Sequence, residues 1–285
     1  MIYIALAIFC SVVVSINFKL FKRYYTNAYQ AIVFNYPTAA IFCFLFFKPD
    51  LSITPKNNEW LLFIIIAILL ISIFYFIGKS IETSGIVLTS IAQRLSVVIP
   101  VLSAFLIFGE TSTTLKIIGL AIGLLAIIAS KPSGKTDFKS LANWYPIIVF
   151  LGTGLIDILL NLLTKLDQLT FTSSLVYIFS IAAFLGFGSL LFQRIKGTLN
   201  FQIKAAFAGV VLGLFNFGSI YFYIKALQIE SHQPSVVFSS LDIGVIALGS
   251  LVGIILFKEK LSRLNIIGLV LAFAAILILN LPNVI

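Results

Sequence analysis

Residues Leu88–Ser130 read LTSIAQRLSVVIPVLSAFLIFGETSTTLKIIGLAIGLLAIIAS, two long apolar runs on either side of a short polar turn at Gly109–Thr114. One arginine, Arg94, lies inside the first run. The plan returns at Phe238–Asn280, FSSLDIGVIALGSLVGIILFKEKLSRLNIIGLVLAFAAILILN, where Glu259 corresponds to Glu110 and Gly268 to Gly119, both 149 residues on. An acidic residue in a turn, a glycine nine residues later and then an apolar helix, met twice, indicate an internal duplication.

The whole chain shares this character. Hydrophobic residues make up 60% and charged residues 10%, against about 45–50% and about 25% in soluble domains. Mean hydropathy is +1.13. Such a chain belongs in lipid. Cys10 and Cys43 both fall in apolar runs and read as packing residues. The net charge of +9 is carried between the runs. That is an orientation signal rather than a nucleic-acid footprint, so no nucleic-acid partner is expected.

A spanning helix needs about 20 apolar residues. Ten stretches qualify as candidates: Met1–Phe18, Tyr24–Phe47, Trp60–Gly78, Ser84–Phe108, Thr113–Ser130, Trp144–Thr164, Thr170–Phe192, Ala205–Ile224, Pro234–Phe257 and Leu264–Leu281. Met1–Phe18 has no basic lead-in or small-residue cleavage site and reads as a span. Lys131–Asn143, KPSGKTDFKSLAN, holds a proline, a glycine and four charges and reads as a linker. The expected organisation is therefore a repeat over residues 1–131, a linker over 132–143 and a second repeat over 144–285. SIFYFI at Ser72–Ile77 resembles SIYFYI at Ser219–Ile224, each followed within two residues by lysine (Lys79, Lys225). Five is odd, so the repeats must lie in opposite orientations. The expected fold class is an all-α membrane protein of ten transmembrane helices in two inverted five-helix repeats.

Thirteen Lys and Arg fall in connections on one side, and five (Lys48, Lys56, Lys116, Lys165 and Lys225) on the side of the termini. The richer side is assigned to the cytoplasm, with both termini outside.

The IPVLSAFLIFGET…LKIIGLAIGLLAI pattern, repeated as ALGSLVGIILFKEKL…LNIIGLVLAFAAI, resembles the drug/metabolite transporter superfamily in its ten-span EamA-type branch. Pro100, Gly109–Glu110 and Gly119 carry the resemblance. The second half departs from it, with Gly249 in place of the proline and Lys258 in place of the glycine before Glu259. The resemblance implies secondary transport of small metabolites without ATP, in a bacterial plasma (inner) membrane. It also implies cytoplasmic termini, the opposite of the charge count, which is kept here.

Charges inside spans are the leading site candidates, since insertion scales set Arg or Asp at a helix centre at about 2.5–3.5 kcal/mol. Arg94 lies about ten residues into its span. The 149-residue offset sets Asp242 opposite Gln93, beside Arg94, so an Arg94–Asp242 ion pair between the repeats is expected. Arg94 is also a candidate for a substrate carboxylate or phosphate, which its planar fork suits. Thr153, Asp157, Asn161 and Lys165 recur every four residues and share one helix face. Asp157 is the candidate proton carrier, against the plainer reading of a hydrogen bond to Asn17, which with Asn161 closes the first span of each half. Asn216, Ser219 and Tyr223 form a third stripe. With Tyr75 and Tyr221 they are candidates for hydrogen bonds and an aromatic wall around a solute. The substrate-binding set is thus Arg94, Gln93, Asn17, Asn161, Asn216, Tyr75, Tyr221 and Tyr223, with Asp157 and Asp242 in coupling or gating. His232 reads as a loop residue. Glu110 and Glu259 read as structural, beside helix starts. Gly209–Gly213 and Gly119–Gly123 have helix-packing spacing.

These features point to a secondary-active, proton-coupled transporter of a small polar or amphipathic metabolite, of amino acid or nucleoside type. A flippase for a phosphate-bearing lipid or polyprenyl carrier is the alternative. An enzyme is not expected, because H-E-x-x-H, G-x-S-x-G and metal-ligand clusters are absent from the sequence. A P-loop is absent too. No catalytic residues, metal or cofactor are expected. The partners are the small-molecule metabolite and membrane lipid, and the chain is taken as a monomer. For orientation, an enzyme that works only outside the cytoplasm should be active when fused after Ile285; activity of a cytoplasm-only reporter there would reverse the assignment.

Overall fold

The structure is a computed structural model describing residues 2–110, 113–129, 144–166, 168–257 and 263–279. Helices account for all of the regular structure among the described residues: α1 (Ile2–Arg23), α2 (Ala28–Phe47), α3 (Asn57–Leu95), α4 (Val98–Leu106), α5 (Thr114–Ala129), α6 (Tyr145–Leu163), α7 (Phe171–Ile195), α8 (Ile203–Ile229), α9 (Pro234–Phe257) and α10 (Arg263–Leu279). Six of the described helices are long and apolar enough to cross a membrane: α2, α6, α7, α8, the Asn57–Ser80 part of α3 and the Pro234–Gly253 part of α9. Shorter apolar segments lie in α1, α5 and α10. Large apolar side chains such as Phe184, Phe207 and Leu277 are exposed. Lipid suits such a surface and water does not. The linker Lys131–Asn143 and the Lys258–Glu259 turn lie outside the described residues.

The helix ends differ in detail from the sequence reading. Residues 79–95 stay helical in continuity with the third span, and a further break falls at Ser96–Val97. Residues 79–84 contain no proline. Thr83 Oγ1 donates to the Lys79 carbonyl at 2.8 Å. The Ser80 and Thr89 hydroxyls meet at 2.6 Å, although nine residues of straight helix span about 13.5 Å, so the chain folds back between them. Pro100 lacks the N–H that would donate to the Ser96 carbonyl. The chain tightens there: Ile99 N donates to Ser96 O at 2.9 Å, and Ser96 Oγ donates to Gln93 O at 2.6 Å. The break at Ser96–Val97 is set by proline chemistry, and the fold-back between Ser80 and Thr89 falls where the sequence reading separates the third and fourth spans.

The two groups of helices interleave. Helix α2 packs on α8 and α7, α3 on α6 and α7, and α1 on α8 and α9. Helix α4 packs on α6 and α9, and α5 lies along α10. The α2–α8 contact is nearly backbone to backbone. A Cβ on Gly209 would come to 2.5 Å from Ala31 O, and one on Gly213 to 2.6 Å from Asn35 O. The GxxxG spacing therefore serves close approach. Both cysteines are free and buried, and Cys43 Sγ donates to Thr172 O at 3.4 Å.

The helix starts are clasped at two ends of the bundle. Asn27 caps α2, its side chain accepting from Gln30 N at 3.1 Å. Buried Gln30 then reaches the connection ahead of α8, donating to Asn200 O at 2.7 Å and accepting from Gln202 N at 2.8 Å. At the other end Thr170 caps α7, accepting from Ser173 N at 3.2 Å. Ser173 Oγ donates to Asp50 O at 2.8 Å, in the connection ahead of α3. The exposed Asp50 carboxyl accepts from Ser52 Oγ and N, which holds it below the usual carboxylate range.

Overpacking a close contact costs about 1–3 kcal/mol. Gly209→Ala should therefore lower the thermal unfolding midpoint in detergent. Gly188→Ala, where a Cβ would meet nothing within 4 Å, should change stability by no more than about 1 kcal/mol and toward greater stability, because alanine is the better helix former. Equal behaviour of the two variants would refute the close α2–α8 approach.

Candidate functional site

Helix α6 supplies the polar face. Thr153, Asp157 and Asn161 fall one turn apart along it, and Lys165 follows just past its end. Tyr223 of α8 donates its hydroxyl to Asp157 Oδ1 at 3.5 Å, a long hydrogen bond. Asp242 of α9 lies within the electrostatic reach of both Asp157 and Tyr223. Asp157 is six residues before the end of α6, Tyr223 six before the end of α8, and Asp242 eight after the start of α9. At 1.5 Å per residue all three lie roughly 9–12 Å below the same end of the bundle. Three helices thus bring two carboxyls and a phenol to one level.

Unsatisfied polar atoms surround this group. Thr153 Oγ1, Asn161 Nδ2, Asn216 Nδ2, Ser239 Oγ and Ser240 Oγ are buried and have no hydrogen-bond partner. Asn216 lies two turns before Tyr223 on α8. Such orphans cost about 1–3 kcal/mol each, and a bound solute or water would satisfy them.

Other expected residues lie elsewhere. Asn17 does not reach Asp157: its Nδ2 donates to Val13 O at 2.9 Å within α1. Tyr75 is 48% exposed and packs edge-on against Tyr29, so it faces outward rather than walling the site. Tyr221, two residues from Tyr223, points away from Asp157 into an aromatic cluster, 4.3 Å between ring centroids from Phe47. Ser219 Oγ pairs with Ser11 Oγ at 2.6 Å and ties α8 to α1. Gln93 is partly buried and its backbone carbonyl receives Ser96. The Arg94 side chain lies outside the described residues, so the expected Arg94–Asp242 pair does too. Asp242 itself is engaged.

Glu110 has a larger structural part than a local cap. Its buried carboxylate accepts from Lys116 Nζ at 2.9 Å, from Ser235 N at 2.9 Å and from Ser235 Oγ in a short contact. The helix start it caps is that of α9, 125 residues away, and not that of neighbouring α5. A carboxylate there meets the positive end of the helix dipole. No local sequence signal names Ser235 as its partner. The two ends of the contact are recognisable only as a turn acid and a proline-led helix start.

Comparison with known proteins follows from this arrangement. Residues 1–130 match the model of the EamA-like transporter family. An uncharacterized protein of Haemophilus influenzae (strain ATCC 51907 / DSM 11121 / KW20 / Rd) is 38% identical over 282 residues, which is 95% of this chain and 94% of that protein. The first 130 residues thus carry the pattern of the EamA-like transporter family. The chain is an integral, multi-pass membrane protein, and the family implies transport of small molecules. A solved crystal structure matches with a TM-score of 0.74 over 98% of each chain, at 11% identity, a likeness of fold alone. In this chain the orphaned donors, the carboxyls of α6 and α9 and the Tyr223 phenol of α8 form the candidate site.

Removing one partner of a buried ion pair costs up to about 3–5 kcal/mol. Glu110→Gln should lower the unfolding midpoint sharply, because it leaves Lys116 poorly compensated and weakens the cap on α9. The double change Glu110→Gln with Lys116→Met should recover part of the loss. Strict additivity in that cycle, read by thermal unfolding, would show that the two charges are not coupled.

Proposed function

We propose that this chain is a secondary-active transporter. It moves a small polar or amphipathic metabolite, of amino acid or nucleoside type, by alternating access, with proton coupling at Asp157 and Asp242. The observation that carries the reading is the convergence of Asp157, Tyr223 and Asp242 at one level of the bundle, beside buried donors with no partner. A carboxyl within the span is a suitable proton carrier, and a second carboxyl within its reach favours a shared proton. Asn161, Asn216 and Tyr223 then contact the solute directly. Gln93 and Arg94, at the end of α3, are proposed to meet its anionic part, with Asp242 as the group Arg94 exchanges it against.

The proposed framework is ten spans in two inverted repeats, 1–131 and 144–285, around the 132–143 linker. The fourth span would run from the last turns of α3 through α4. Two features support the inversion. The contacts α2–α8, α1–α8 and α1–α9 have the counterparts α7–α3, α6–α3 and α6–α4 when each helix is exchanged for the one five places on. Gln30 and Ser173 occupy the same third helical position in α2 and α7 yet clasp opposite ends of the bundle. A bacterial inner membrane is the proposed location, and the chain is proposed to act as a monomer.

The test is transport into proteoliposomes with an amino acid and nucleoside panel, with and without a pH gradient. Asp157→Asn should abolish gradient-driven accumulation and leave solute counterflow within a few-fold of the parent. Accumulation that responds to the gradient as before would remove Asp157 from the coupling step.

A further inference from the structure

A second polar feature opens where the α6 stripe reaches the end of the bundle. A cleft of about 380 Å³ is lined by Asn161, Thr164, Lys165, Gln228 and Ser231. Among the described residues of the lining every side chain is polar, the charge is positive and there is no carboxylate. Glu230, beside Ser231 in sequence, is outside the lining. Asn161 is 3% exposed and its Nδ2 has no partner. Thr164 Oγ1 donates to the Asn161 carbonyl at 2.7 Å, which fixes the last turn of α6 and leaves the amide as the available donor. Lys165 Nζ rests 4.0 Å from the centroid of the Phe108 ring, over its face. An ammonium there is attracted by the ring and keeps its three donors.

We infer that this cleft is a loading site for a carboxylate group on the transported solute, with Asn161 Nδ2 and Lys165 Nζ as its donors. The inference rests on the transport reading and narrows it from amino acid or nucleoside to the carboxylate-bearing class. One ammonium with neutral donors matches a monoanion; a phosphate dianion calls for more positive charge or an Arg fork. The volume falls at the small end of ligand pockets, about 300–1,000 Å³. Asp157 lies one turn deeper on the same face, so the proposed proton carrier sits directly below the donors that would hold the carboxylate.

The test reads charge preference directly and needs no gradient. In full-length protein with Cys10→Ala and Cys43→Ala, Ser231→Cys is labelled with anionic sulfonatoethyl and cationic trimethylammonioethyl methanethiosulfonate. Relative to a free thiol, the anionic reagent should be favoured roughly 3- to 10-fold at low salt. Lys165→Gln should abolish the preference and Lys165→Arg should retain it. Acetate should slow the anionic labelling, and ethylammonium at equal ionic strength should not. Equal labelling, no labelling by either reagent, or a preference that survives Lys165→Gln overturns the anion site. A preference without acetate protection overturns the carboxylate assignment. The labelling needs neither a proton gradient nor transport, so failure of the anion site and failure of the transport reading are seen in separate measurements.

Discussion

Lipid offers no hydrogen bonds, so each polar group carried into the bundle has to be met by another part of the same chain. The structure meets this constraint by reaching between its two halves. Glu110 closes the turn after α4 by capping α9. Gln30 of α2 satisfies the backbone ahead of α8, and Ser173 of α7 that ahead of α3. Ser11 and Ser219 tie α1 to α8. Neither half would be satisfied alone, because the partners of its polar groups sit in the other. Among the described residues, two of the exceptions, Asn35 Oδ1 and Tyr36 Oη, lie on α2, and the other five lie on α6, α8 and α9. A solute or water at the larger group would satisfy it.

Much of the fold was legible because helix length and apolar content are local properties. Trp144–Thr164 became α6 and Thr170–Phe192 most of α7, and Pro234–Phe257 is α9 to the residue. The boundary between the third and fourth spans is instructive. Polarity at Lys79–Ser84 marks the place where the chain folds back, as the Ser80–Thr89 contact requires, yet serine and threonine keep the residues helical by bonding locally. Proline cannot do so, and a second break, not marked by polarity, falls in the turn ahead of Pro100. The α6 stripe was legible for the same local reason: a four-residue spacing puts Thr153, Asp157 and Asn161 on one face whatever the tertiary context.

What was not legible depended on rotation about a helix axis and on distant partners. The repeated SIFYFI and SIYFYI segments made Tyr75, Tyr221 and Tyr223 look equivalent. Packing gives them three fates: Tyr75 outward, Tyr221 into an aromatic cluster, Tyr223 onto Asp157. Asn17 was expected to reach across the bundle and instead donates to its own helix. Glu110 was rightly read as structural, but the helix it caps lies 125 residues along the chain.

The glycine contacts between α2 and α8 bear on how such a molecule can deform. Where Gly209 and Gly213 let backbone approach Ala31 and Asn35, the side-chain atoms in the contact are ones held close to the helix, Phe34 Cβ and the Cβ and Cγ2 of Thr38. Helices joined in this way travel as one stiff plank. That plank is made from one helix of each half, so the seams along which the bundle can part cut through both halves. A motion that keeps α2 with α8 therefore divides each half of the sequence instead of separating one half from the other.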